Sequence, residues 1–503
     1  MNVIPKIVKY PEKGSPCSIA SNWVIGAPSA LKKYALMLHA DLKDILGLEL
    51  KFNNSKTSEA IKLKLNTKAC SEAESFNIAF YENSIELIGH DEQGLFYAIQ
   101  TLKQVLLTHG NNIAACSIHS IKGYSWRGMH LDVSRHFFPI PYLKKLIDLM
   151  ALFRLNRFHW HLTDDQGWRI ESKKFPLLHK IGSCRDEEGY REPQYYTQEE
   201  IKDFVAYAEE RFVEVIPEID MPGHTQSVLA AYPNLSCTGE PTQTWTKWGV
   251  SEDVLCMGRD STYEFVEELL NEVIPLFKSK YFHIGGDECP DTAWQSCPHC
   301  QKKKDELGLH DFRALQHQFT NFLSEVLKKH DKIMIGWDEI TEGQLPDNTV
   351  VMAWRGNAGK AAVNAISQGK NVIFTPNSSY YLDWRQSDKE GEPGGFGVTD
   401  LKKVFQYDPQ EIIKIEELQY THNSTKSDLK LYFDINKCTD YFLGIQVNLW
   451  TERIHNEKEL KYMLFPRLLA LAEQADSRST NKDYIEFSKR AEIIMEKVLN
   501  HYL

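Results

Sequence analysis

Two adjacent acids, Asp287-Glu288, follow the apolar run YFHIGG. Carboxylates placed beside two glycines at the end of an extended segment suit acid/base work on a ligand that the backbone can approach closely. They are not isolated: Asp132 and Arg135, Asp164 and Asp165, Asp220 and His224, Trp337 and Asp338, Trp354, and Trp450 and Glu452 close other short β-rich runs in the same way. Carboxylates converging on one mouth suit either metal binding or acid/base chemistry on a neutral substrate. The tryptophans shift the balance, because indole faces stack on the C–H faces of pyranose rings while carboxylates and arginine pair with the hydroxyls. The combination implies a sugar site. Glycoside hydrolysis needs an acid to protonate the leaving oxygen and a nucleophile for the oxocarbenium-like centre, and Asp287-Glu288 is the pair best suited to it.

The elements that must carry these residues are legible as alternation. Eight β-rich runs follow one another at residues 126–133, 157–164, 212–220, 281–288, 332–340, 349–356, 371–376 and 441–452. Helical patterns fall at 140–154, 198–211, 262–277, 312–329, 359–368 and 457–476. Strands alternating with helices predict a parallel sheet, and eight such units predict an α/β fold of the (β/α)8 TIM type, in which function sits at the C-terminal strand ends. Residues 377–440 are irregular. Residues 1–120 mix short apolar alternations, as in FNIAFYENSIELIG at 76–89, with a helical stretch at 92–107, and read as a small α+β N-terminal domain. Residues 121–503 are then the catalytic barrel, with a C-terminal helix near 482–500 expected on its outside.

The chain has 503 residues and a formal charge of −11, the wrong sign for gripping a nucleic acid backbone over a broad surface, so no nucleic acid partner is expected. No run of eighteen or more apolar residues is present, so no membrane span is expected. The first twenty residues lack the apolar core of a secretory signal; the chain as written is expected in the cytoplasm, or in the periplasm or medium if a leader has been removed. Ten cysteines are too sparse for a disulfide scaffold. Cys297-Pro-His-Cys300 has the spacing of a zinc knuckle or redox pair, but a structural zinc site needs a second pair at comparable spacing, and none exists. Cys289 and His299 complete no recognised ligand pattern, so neither metal nor cofactor is expected.

HIGGDE (283–288) resembles the H-x-G-G-D-E signature of family 20 glycoside hydrolases, the β-N-acetylhexosaminidases. The similarity extends in order through LDVSRHF (131–137), HWHLTDDQGWR (159–169), PEIDMPGH (217–224), GWDEI (336–340), AWRG (353–356), YLD (381–383) and NLWTE (448–452). The N-terminal 120 residues resemble the small domain that precedes the barrel in that family. The resemblance implies an exo-acting, retaining enzyme on terminal β-linked N-acetylglucosamine or N-acetylgalactosamine, in which the substrate's own acetamido oxygen is the nucleophile and an oxazolinium forms. It implies Glu288 as general acid and base, Asp287 as the group that holds the acetamide N–H, and Tyr381 as donor to the acetamide oxygen. It further implies Trp337 and Trp354 as walls of the acetamide pocket and Trp450 beneath the sugar ring. Arg135, Asp383 and Glu452 would hold the ring hydroxyls. Asp164 would orient His224 toward Glu288, while Asp220 and His283 would brace the loops.

Two other readings use the same residues differently. His159-Trp160-His161 places two imidazoles on one strand face, as in a metal-dependent barrel hydrolase, although no series of further ligands accompanies them. A non-catalytic sugar-binding barrel would be marked by loss of Asp287, Glu288 or Tyr381, and all three are present.

Overall fold

The computed structural model describes residues 1–52, 60–120, 123–185, 192–423, 438–476 and 483–502. It divides into two compact units, Met1–Arg127 with Lys145–Asn156 and Phe465–Leu503, and Gly128–Lys144 with Arg157–Leu464.

The first unit is built on a seven-stranded mixed sheet. Its centre is the hairpin Phe76–Tyr81 with Ser84–Gly89, where strict alternation puts Phe76, Ile78, Phe80, Ile85 and Leu87 on one buried face. Helix Glu92–His109 starts at Asp91, whose carboxylate accepts from the Gly94 N–H at 2.7 Å, and lays Leu95, Ala98, Ile99, Leu102, Val105 and Leu106 into the core. The final helix, Tyr484–Ile494, belongs to this unit and packs on the same helix. There the Arg490 guanidinium donates to Glu473 at 2.7 Å and to the Val3 carbonyl at 2.7 Å.

The barrel is closed by eight parallel strands in sequence order, and we label them β1 (Trp126–Asp132), β2 (Arg157–His161), β3 (Glu214–Glu218), β4 (Tyr281–His283), β5 (Ile333–Trp337), β6 (Thr349–Ala353), β7 (Asn371–Phe374) and β8 (Phe442–Leu449). Each lies inside one of the eight predicted runs. In β2 the two faces separate cleanly. Phe158 and Trp160 point outward onto Phe204 of helix Gln198–Glu209, with ring centroids 5.8 and 4.8 Å away, while His159 and His161 point into the barrel. That helix is fixed at its start by a capping box, in which Thr197 Oγ1 accepts from Glu200 N at 3.2 Å and Glu200 accepts from Thr197 N at 2.8 Å. The predicted helix 457–476 is instead two, Glu457–Leu464 and Arg467–Asp476, because Pro466 has no N–H to continue the ladder. The irregular stretch contributes a short parallel pair, Trp384–Arg385 with Gly395–Val398, and short helices at 377–380 and 401–406. Among the described residues no helix is long and apolar enough to cross a membrane.

Candidate active site

The pair at the end of β4 is set by glycine. After His283 the chain turns through Gly285 at φ 68° and Gly286 at φ 92°. A Cβ on Gly285 would lie 1.6 Å from Asp220 Oδ1, so only glycine lets the Asp220 carboxylate lie against this turn, where it accepts from Gly286 N at 3.0 Å. Asp220 thus braces the turn. Glu288 and His224 are both held at positive φ, 45° and 52°; non-glycine residues are held in this region only where the surrounding structure over-determines them, as it does at functional sites. The two acids emerge differently: Asp287 is buried, while the Glu288 side chain is 45% exposed.

Both line a cavity of about 220 Å³ together with Arg135, Asp164, His224, Trp354, Tyr381, Asp383, Trp450 and Glu452. Nearly every residue expected at the site from sequence is therefore gathered there. Tyr381 stacks on Trp354 with ring centroids 5.9 Å apart and planes at 13°, and its ring is 6.2 Å from that of Trp450. Trp354 is aimed by the GWDEI segment: its indole donates to Glu339 Oε2 at 2.9 Å, and its backbone N–H donates to Asp338 Oδ2 at 2.7 Å. Trp337 is fully buried and lies one layer deeper, outside the cavity lining; its ring is 5.9 Å from Trp450, and its indole N–H donates to Glu218 at 2.9 Å. Asn377, Trp384 and Phe396 also line the cavity and were not anticipated. Phe396 stands 75% exposed, and its setting in a Gly-Gly-Phe-Gly segment was the available signal.

A charge chain runs behind the acids. Asp164 accepts from His224 Nδ1 at 3.2 Å and from His161 Nε2 at 2.9 Å, and pairs with Arg135 at 2.8 Å. Burial alone would raise the Asp164 carboxyl, but Arg135, His224 and His161 hold it well below the usual range. Burial likewise opposes charge on His224, yet Asp164 and its neighbours raise it well above the ordinary histidine value, so it is an imidazolium. Arg135 is further fixed by Gln166 at 2.8 Å and Asp132 at 3.2 Å, with Glu452 3.8 Å away. Asp287 is pushed well above the carboxylate range, first by burial and then by Asp220, which burial itself raises to about 7. Burial, with Asp287 and Asp383 nearby, keeps the Tyr381 hydroxyl protonated.

Beneath the cavity lies a second polar cluster that the sequence reading missed. Glu218, wholly buried, accepts from His161 at 2.6 Å and Trp337 at 2.9 Å, and lies 3.0 Å from both His159 and His283. His161 is raised to about 10, against burial, by Glu218 and Asp164, whereas burial depresses His159 to about 4 and His130 well below the usual value. Although His130, His159 and Glu218 each bring a ligand atom within 4.8 Å of the others, neither His159 nor His161 lines the cavity. The metal-hydrolase reading therefore puts its ligands away from the cavity that holds Asp287 and Glu288. Cys297-Pro-His-Cys300 does have partners, since Cys237 and Cys256, each alone in the sequence, fold against it.

A closed barrel whose fourth strand delivers paired acids into a cavity walled by stacked aromatic rings is suited to acid/base chemistry on a sugar ring. The chain matches the models for the catalytic domain of glycosyl hydrolase family 20 over residues 124–478 and for domain 2 of that family over residues 1–119. It belongs to glycosyl hydrolase family 20. It is 37% identical over 505 residues to a beta-hexosaminidase of Porphyromonas gingivalis, covering 97% of this chain and 62% of that one. It is also 37% identical over 404 residues to a beta-hexosaminidase of Vibrio furnissii, covering 77% of this chain and 63% of that one. The chain thus spans about three fifths of the length of these two relatives. Among solved structures it is similar to the exo-β-N-acetylglucosaminidase of Vibrio harveyi in complex with N-acetylglucosamine, with a TM-score of 0.84 and 30% identity over 99% of this chain and 77% of that one.

Proposed function

We propose that this chain is an exo-acting, retaining β-N-acetylhexosaminidase that removes terminal β-linked N-acetylglucosamine or N-acetylgalactosamine by substrate-assisted catalysis. The observation that carries the reading is Asp287: its Oδ1 is buried at the cavity wall and has no hydrogen-bond partner among the described residues. A buried lone acceptor costs free energy until a donor reaches it, and an acetamide N–H is such a donor.

In this reading Tyr381, protonated and stacked on Trp354, donates to the acetamide oxygen and presses it toward the anomeric carbon, a near-attack placement. Asp287 is disfavoured as an anion in the free site. As the oxazolinium forms, positive charge develops on the acetamide nitrogen and strengthens the hydrogen bond from its N–H to Asp287, so the stabilisation is greatest at the transition state. Glu288, the exposed member of the pair, protonates the glycosidic oxygen and then takes a proton from water. Trp450 stacks under the ring, with Trp337 supporting it from below. Arg135, Asp383 and Glu452 meet the ring hydroxyls and close the pocket behind a terminal residue, which accounts for exo action. His224, oriented by Asp164, stands behind Glu288. The division into an N-terminal domain of about 120 residues and a barrel from residue 121 is part of the same reading, supported by family models that meet between residues 119 and 124.

The test is acetamide dependence. The purified protein is expected to release p-nitrophenol from the β-N-acetylglucosaminide and to be nearly inert toward the β-glucoside; comparable rates on the two would overturn the substrate-assisted mechanism.

A further inference from the structure

Four cysteine sulfurs converge in the loops beyond β3 and β4, outside the cavity. Cys237 Sγ is 3.8 Å from Cys300 Sγ, Cys256 Sγ is 3.8 Å from Cys297 and 3.7 Å from Cys300, and all four lie within 4.8 Å of one another. These separations have a chemical meaning. A disulfide brings its sulfurs to about 2.0 Å. A tetrahedral zinc with bonds of about 2.3 Å separates its thiolates by about 3.8 Å, the bond length multiplied by the tetrahedral factor. The closest contacts match the second geometry.

The backbone is shaped for it as well. Cys297 caps helix Pro298–Glu306 and Cys300 sits in its first turn, so the Cys-x-x-Cys pair faces one point beside the free N–H groups of the helix start, where thiolate charge is favoured. Opposite them, Cys256-Met-Gly258 lies against the same turn: a Cβ on Gly258 would come within 2.1 Å of the His299 carbonyl carbon, so this close approach requires glycine. Cys256, Cys297 and Cys300 are buried. Four neutral thiols clustered in a buried site are weak donors and acceptors with little to hold them together. The same four as thiolates around a divalent cation form a closed structural site.

We propose that Cys237, Cys256, Cys297 and Cys300 bind one zinc ion in a closed four-thiolate site that ties the loop following β3 to the loop following β4. Binding displaces thiol protons to solvent and involves no oxidation or reduction. The two loops matter to the cavity. The first is joined to the segment carrying His224 through Leu255 N to the Pro222 carbonyl at 3.1 Å, and to Asp165 through Trp245 N at 2.9 Å and Ser251 N at 3.2 Å. The second begins at Glu288 itself and is packed by Trp294, whose buried indole donates to the Leu255 carbonyl at 2.9 Å. A metal pin between them holds the His224 and Glu288 backbones in register without touching substrate, and it stands whether or not the proposed activity does.

The experiment is elemental analysis of the full chain purified under reducing conditions, without chelator and without a metal-affinity step. About one zinc per chain is expected, released by a mercurial in step with about four thiols, and replaced by cobalt with the visible spectrum of a tetrahedral thiolate complex. Cys297→Ser with Cys300→Ser is expected to lose the zinc and to lower Tm by several degrees, whereas Cys184→Ser keeps it. The wild-type measurement stands even if the double variant fails to fold. Zinc that stays far below one per chain after incubation with zinc and reductant would overturn the proposal. So would iron in its place, or an intact mass lowered by the hydrogens lost to disulfide formation.

Discussion

His224 Nε2 lies 3.7 Å from Glu288 Oε2, while the other nitrogen of the same ring donates to Asp164 at 3.2 Å. Asp164 overrides burial and raises the ring well above the ordinary histidine value, so the exposed Glu288 carboxyl lies beside a group that favours positive charge. Asp164→Asn removes the counter-charge. The folded-state value of His224 then drops toward the ordinary one, and the imidazolium is lost at lower pH than in the wild type. The expected outcome is a pH profile of kcat/KM whose alkaline limb moves to lower pH; a profile unchanged in shape would separate His224 from the function of Glu288.

Glu288→Gln keeps the size of the acid and removes its proton. Substrates with poor leaving groups, such as chitobiose, are expected to lose about 10²- to 10⁴-fold in kcat, the range for a general acid. Aryl glycosides with activated leaving groups are expected to lose much less in the glycosylation step. Parallel kinetics on a series of aryl leaving groups check this, and an equal loss across the series would remove Glu288 from the proton-transfer step.

Asp287→Asn leaves a group at the cavity wall that can still accept from an amide but carries no charge. Because the proposed contribution of Asp287 grows as the oxazolinium forms, kcat is expected to fall about 10²- to 10³-fold, as when one electrostatic stabiliser is removed from a catalytic centre, with a smaller change in KM. Steady-state kinetics on the β-N-acetylglucosaminide read both parameters.

The barrel was legible because its strands alternate in character with its helices and end in polar residues, two signals that need no tertiary information. Asp287, Glu288, Trp354 and Trp450 were legible for the same reason, whereas Tyr381, in the irregular stretch after the seventh run, was legible only through the resemblance of its YLD segment to the family. Depth was not. Trp337 stands at a strand end just as Trp354 does, and only the closure of the barrel puts it beneath the cavity. Glu218 reads in sequence as a polar position in a strand; that it is a wholly buried anion follows from histidines on β2 and β4, which no local pattern connects to it. Cys237 and Cys256 failed to register for a related reason, since a ligand set assembled from three separate positions has no spacing to recognise.

The Glu218 cluster makes a prediction about stability. His161 has a folded-state value of about 10, above its unfolded value, because Glu218 and Asp164 hold its proton against burial. A raised histidine stabilises the fold fully below its unfolded value, near 6.5, and that contribution is lost as pH rises through about 10. Thermal unfolding followed from pH 6 to pH 10.5 is therefore expected to show Tm falling across the alkaline range. His161→Asn is expected to be less stable at neutral pH and to show a flatter decline, because it has no proton to lose. Glu218→Gln strips the anion from His161 and leaves His159, His283 and the Trp337 indole facing a neutral amide. Breaking a buried ion pair from one side costs about 3–5 kcal/mol, so this variant is expected to lose more Tm than any of the cavity variants above. An alkaline slope in Glu218→Gln as steep as that of the wild type would show that the cluster does not hold the His161 proton.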